Sequence, residues 1–244
     1  MRIHFLSFIV VLLSSPVICH AQSFSITNNP GNQTVTISNS NLTIVVDYNH
    51  GCRVSAMEVN GINVIAGNTG IYSAIQTKDK TFSTLQLKNS PKVKSSKNSV
   101  EINDIVYGDA NLSIHENWKF IASDSNIQFS ITRSFPKSFE AQSVSFPAME
   151  FNNINTWEGA FQGFGGIAWF YLFNEKLMTY GVHTNEVSFW NSANDNGLHV
   201  LVNAPGKQVA MKYSRTDDDK LNYSIAVSQK EMLPRYDSGT HRRR

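Results

Sequence analysis

Residues 111–135, NLSIHENWKFIASDSNIQFSITRSF, leave this chain few folds to choose from. Along the first half, Leu112, Ile114, Trp118 and Phe120 alternate with Asn111, Ser113, His115, Asn117 and Lys119. Along the second, Ile127, Phe129, Ile131 and Phe135 alternate with Gln128, Ser130, Thr132 and Ser134. A period of two is the signature of strands with one dry face, and it predicts a long antiparallel hairpin. Each strand breaks its pattern once, at Glu116 and at Arg133. A two-residue turn at Asp124-Ser125 would set Phe120 opposite Phe129, Trp118 opposite Ile131 and Glu116 opposite Arg133. A lone charge on a dry face is costly, whereas a facing carboxylate and guanidinium satisfy much of each other's hydrogen bonding. Two readings follow: a structural ion pair that fixes strand register, or a polar cleft lined by this face.

The rest of the chain repeats the strand signal. Runs at 24–28, 33–38, 41–48, 52–59, 62–65, 71–77, 82–88, 92–96 and 99–107 precede the hairpin. Others follow near 143–151, 157–164, 167–173, 176–183, 187–190, 198–203, 207–214 and 220–228. Asn60-Gly61 is a strong two-residue hairpin signal, and turns such as Asn29-Pro30-Gly31 and Ala204-Pro205-Gly206 punctuate the remainder. One convincing helix start, the capping box at Ser228–Glu231, is cut off by Pro234. So many short strands without a helical period predict an all-β fold, a large two-sheet antiparallel β-sandwich formed as one domain over 22–234.

The first 21 residues read as an export signal. Arg2 supplies the positive start, residues 5–13 the apolar run, and Cys19-His20-Ala21 the cleavage pattern. Cleavage after Ala21 is expected, with a periplasmic or extracellular destination and no membrane span. Residues 235–244 read as a disordered tail or as the place where a longer polypeptide has been cut. Removal of Cys19 would leave Cys52 as a single half-buried core thiol, so neither a disulfide nor a cysteine zinc site is expected. A net charge of +2 with 16% charged residues gives no field that would draw nucleic acid. No cofactor or metal motif is present.

Chemistry, where the sequence hints at it, lies in the aromatic second half. Flat apolar rings beside neutral polar groups suit sugars, whose C–H faces stack while their hydroxyls bond. Trp157, Trp190, His183 and Glu186 are the carbohydrate-contact candidates. The same aromatics could equally fill the core of a large sandwich. Acid–base work needs two titratable groups across a substrate. The carboxylates Glu150, Glu158, Glu175, Glu186 and Asp195, with His183 and His199, show no diagnostic spacing. No catalytic residues are assigned.

Several segments together carry a family likeness. WKFI from Trp118, IQFSITRSF from Ile127, FPAMEF from Phe146 and WEGA from Trp157 form its centre. LTIVVD from Leu42, GCRVS from Gly51 and the Asn60-Gly61 turn form its opening. Over roughly 35–230 the chain resembles the N-terminal β-supersandwich, galactose-mutarotase-like, of bacterial six-hairpin glycosidases. The resemblance implies an accessory domain that packs on a helical (α/α)6 barrel carrying the catalytic carboxylates. Its expected partners are a carbohydrate and that helical domain. A stand-alone carbohydrate-binding protein and a mutarotase- or epimerase-like enzyme are the alternatives. The last would need a histidine and a glutamate that no motif here places.

Overall fold

The protein is described by a computed structural model over residues 24–136, 139, 141, 143–151, 159–162, 179–182, 186–192, 196–201, 209–215 and 221–227. The expected export signal, the short helix from Ser228 and the 235–244 tail lie outside these residues, as does the strand expected at 167–173. In chain order the strands begin β1 (Ser25–Asn29), β2 (Thr34–Ser38), β3 (Leu42–Asp47), β4 (Arg53–Val59), β5 (Ile62–Asn63) and β6 (Ile71–Gln76). Then come β7 (Thr81–Ser83), β8 (Lys92–Ser95), β9 (Ser99–Gly108), β10 (Ser113–Ala122), β11 (Ile127–Ser134) and β12 (Ser143–Glu150). The series closes with β13 (Gly159–Gln162), β14 (Thr179–Val182), β15 (Glu186–Asn191), β16 (Asn196–Leu201), β17 (Val209–Arg215) and β18 (Leu221–Val227).

The fold is an all-β sandwich. An 11-stranded antiparallel sheet runs β1-β2-β3-β4-β6-β12-β18-β17-β14, with β5 attached to β4 and β7 to β6. A 4-stranded sheet, β11-β10-β9-β8, faces it, and a 3-stranded sheet, β13-β15-β16, adds to the expected two layers. One hydrophobic core takes side chains from all three: Val35, Ile37, Val54 and Ile75 from the large sheet, Ile102, Tyr107, Trp118 and Phe120 from the four-stranded sheet, Phe189 from the small one. Non-directional burial of this apolar surface is the main force holding the layers together.

Local sequence explains the ladders. Between β4 and β5 the hairpin closes at Asn60-Gly61, both with positive φ (50° and 79°), the geometry that gives a two-residue turn the twist of its strands. In β12 the register against both neighbours shifts between Ser145 and Ala148. Pro147 sits in that gap and has no N–H to contribute to a ladder. Gly70 enters β6 at φ 62°, where a Cβ would come within 2.0 Å of the Val54 carbonyl oxygen, so only glycine fits.

The central hairpin forms in the expected register: Phe120 faces Phe129, Trp118 faces Ile131, and Glu116 faces Arg133. Its turn is closed by the Ser123 N–H donating to the Asn126 carbonyl at 2.9 Å. Phe120 and Phe129 stack with centroids 4.2 Å apart, and Trp118 meets Phe129 edge-on at 5.0 Å. Three local expectations change. Phe135, placed on the dry face, lies past the end of β11, is exposed, and packs edge-on against Phe139. The strand expected over 82–88 stops at Ser83, because the backbone turns and Gln86 N–H bonds back to the Ser83 carbonyl. Cys52 is fully buried rather than half-buried.

Candidate functional site

The most concentrated polar chemistry in the described core gathers around Glu116. Its parity on β10 sends it inward beside Trp118, so the carboxylate must find donors within the core. It finds four. Oε1 accepts from Arg133 Nε at 2.6 Å, Tyr107 OH at 2.6 Å and Ser73 Oγ at 2.7 Å. Oε2 accepts from the Trp118 indole Nε1 at 2.8 Å. Arg133 also donates from a terminal nitrogen to Ser73 Oγ at 2.5 Å, which closes a ring of three side chains. The Glu116 side chain is fully buried and Arg133 is 15% exposed.

Each donor arrives by its own route. Arg133 comes from the facing position on β11, and Trp118 from two residues along the same strand. Tyr107 comes from β9 because that strand bulges. Glu116 pairs with Ile105 but Trp118 pairs with Ile102, so the partner strand carries one extra residue opposite Asn117. Asp104, at φ 61°, takes the strain, and its N–H donates to Asn117 Oδ1 at 3.0 Å. The extra residue changes parity, so the buried positions run Val100, Ile102, then Ile105, Tyr107. Ser73 comes from β6 in the opposite layer, held by two bonds to Thr84: Ser73 N–H to Thr84 Oγ1 and Thr84 N–H to the Ser73 carbonyl.

The electrostatics are those of a sealed cluster. Burial, followed by the Glu116 charge, pushes the Tyr107 hydroxyl far above its ordinary value, so it stays protonated and donates. Burial, followed by Glu116 and then Asp47, pushes the Cys52 thiol up as well. The arrangement ties β6 of the large sheet to β9, β10 and β11 of the four-stranded sheet. Glu116 and Arg133 thus form an ion pair, 2.6 Å apart, at the facing positions the register predicts.

The carbohydrate-contact candidates fall elsewhere. Trp190 lies on β15 and is half-buried. Glu186 opens the same strand, four residues away, about 13 Å along it. Trp157 and His183 lie outside the described residues. One pair of groups beside Trp190 escaped the sequence reading: Ser188 Oγ and His199 Nδ1 are 2.9 Å apart at facing positions of β15 and β16. The alternation of Ser188 with Trp190 was the signal that could have found it. Among the described residues, no group of three His, Cys, Asp or Glu side chains could hold a metal ion. No helix among them is long and apolar enough to cross a membrane.

Comparison with solved structures now bears on the sandwich. A 4-α-glucanotransferase from Thermococcus litoralis aligns over 87% of this chain with a TM-score of 0.54 at 7% identity. A GH36 α-galactosidase from Geobacillus stearothermophilus aligns over 84% with a TM-score of 0.51 at 8% identity. The likeness is one of fold. The chain spans 38% of the length of each of those proteins. No protein-family profile matches the sequence, and no curated protein does. This chain shares its β-sandwich fold with part of each of those two proteins.

Proposed function

We propose that this chain is a non-catalytic, carbohydrate-contacting β-sandwich domain of an exported glycoside-hydrolase system, working beside a helical catalytic domain. The observation that carries the reading is the shared fold with parts of a glucanotransferase and an α-galactosidase over more than four fifths of the chain. Two features support it. The buried carboxylate among the described residues, Glu116, is committed to four protein donors. The described part of the aromatic half carries a tryptophan on a sheet face beside neutral polar groups.

The test is a pair of measurements on the purified chain. A glycan array should show retention of neutral oligosaccharides. Incubation with nitrophenyl α-galactoside or with maltoheptaose should release no nitrophenol and produce no redistribution of chain length. Turnover by the chain alone would overturn the non-catalytic assignment. A blank array would overturn the carbohydrate-contacting role.

A further inference from the structure

We infer that the outer face of the three-stranded sheet is a binding platform for a neutral pyranoside, with Trp190 as the stacking surface. This deepens the carbohydrate-contacting role proposed above and rests on it. The two faces of the sheet are distinguished by packing. Phe189 is 1% exposed and meets Phe151 edge-on at 4.9 Å, while Leu198 and Val200 pack against the core. Strand alternation therefore turns Ser188 and Trp190 of β15, and Gly197, His199 and Leu201 of β16, to the other side. There Leu201 is 62% exposed and His199 is exposed as well.

On that face Trp190 has a glycine on either hand. It pairs with Gly159 on β13 and with Gly197 on β16. Facing residues across a ladder ordinarily cover one another with side chains. Here neither directly facing residue has one, so at those two positions no side chain lies over the half-buried indole. The backbone does not demand the glycine at 197. A Cβ there would meet only the Phe189 carbonyl oxygen, at 3.8 Å, and its φ lies outside the left-handed region. A glycine within a strand weakens it, and a close approach by a ligand or by another backbone is among the reasons a strand carries one.

The neighbouring groups state the chemistry of the occupant. Two residues along from Trp190, about 7 Å, stand the Ser188 hydroxyl and the His199 imidazole, held 2.9 Å apart. The described side chains of the face include no lysine or arginine. An aromatic surface beside a hydroxyl and an imidazole, without fixed positive charge, suits an uncharged ring with one apolar face and hydroxyls at its rim. A phosphate or a uronate would call for a cation, which the described side chains of the face do not supply.

Calorimetric titration of the whole chain with maltoheptaose and with a galactosyl-mannan oligosaccharide tests the inference. Trp190→Ala and Gly197→Val should each weaken binding by at least about tenfold. Trp190→Phe should retain part of it. Gly197→Val places a strand-favouring residue where a Cβ has room, so its thermal midpoint should stay at the wild-type value and exclude misfolding as the cause. Affinity unchanged in both Trp190→Ala and Gly197→Val would overturn the platform while leaving the carbohydrate-contacting role standing. Absence of binding by the unmodified chain would overturn both. Self-association abolished by Gly197→Val, with no glycan bound, would assign the face to a second copy of the chain and overturn the inference.

Discussion

Glu116 owes its place in the core to its neighbours. A carboxylate held by a guanidinium, a phenol, a serine hydroxyl and an indole N–H has lost its water but not its hydrogen bonds. Removing one partner of such a pair is expensive because the other charge stays buried. Arg133→Met should cost on the order of 3–5 kcal/mol in urea unfolding. Combining it with Glu116→Leu should be less damaging than the sum of the two, with a coupling energy above roughly 1 kcal/mol. A cycle without coupling would reduce the contact to mere proximity. Asp109 illustrates a smaller, exposed version. Its carboxylate accepts from Lys80 Nζ and from the backbone N–H groups of Leu112 and Asn111, which hold its pKa down at about 2. A depressed carboxylate stabilises the folded state above its unfolded value near 3.8, and that share is lost as pH falls through about 2. Asp109→Asn should therefore flatten the acid limb of stability between about pH 4 and pH 2, read from thermal midpoints, with little change in its shape at neutral pH. The Glu116–Arg133 pairing could be read from the text alone because both residues break a strict alternation at positions that a two-residue turn sets opposite. Ser73 and Tyr107 could not, since nothing near either residue announces a partner 43 or 9 positions away.

At the scale of the element, β9 shows where periodicity was legible and where it was not. Its buried residues are spaced two, three, two (Val100, Ile102, Ile105, Tyr107), the trace a bulge leaves in a sequence, although a continuous strand over 99–107 fits the composition equally well. Asp104 bears the strain at φ 61°. Asp104→Gly should be tolerated to within about 1 kcal/mol, whereas Asp104→Val should lose about 1–2 kcal/mol, because a β-branched residue resists the left-handed region. Deletion of Asp104 should remove the bulge and still give a folded protein. Ile105 would then follow Ile102 by two positions and, with Tyr107, keep facing the core, so circular dichroism should retain the β signature and the protein should still melt cooperatively. The two borders of the four-stranded sheet also differ. β8 carries Lys92 and Lys94, which discourage pairing with another chain. β11 presents Gln128, Ser130, Thr132 and Ser134 on its polar side, with no lysine.

The order of strands in the large sheet belongs to the whole molecule, and no short segment encodes it. β6 pairs with β12, and β12 in turn with β18, across gaps of many tens of residues. Among the described residues most strands and the Asn60-Gly61 turn were therefore readable, and neighbours were not. Contacts of such long range imply cooperative unfolding. Cys52, fully buried and with its thiol pushed up by burial, should react with a thiol reagent only when the sandwich opens. The labelling rate should follow global unfolding in urea. Rapid labelling in the absence of denaturant would show that this corner opens by itself. Gly70→Ala should lower the thermal midpoint by several degrees, since its Cβ would force β4 and β6 apart at the point where they meet.

The bond from Ser73 to Glu116 has a mechanical consequence. Oily surfaces attract without direction and let one sheet glide over another. Here a glide of one residue, about 3.3 Å, would carry the hydroxyl out of reach and leave an anion short of a ligand. The sandwich is bolted against shear, so under tension along its strands the layers should hold and then part in a single rupture instead of creeping.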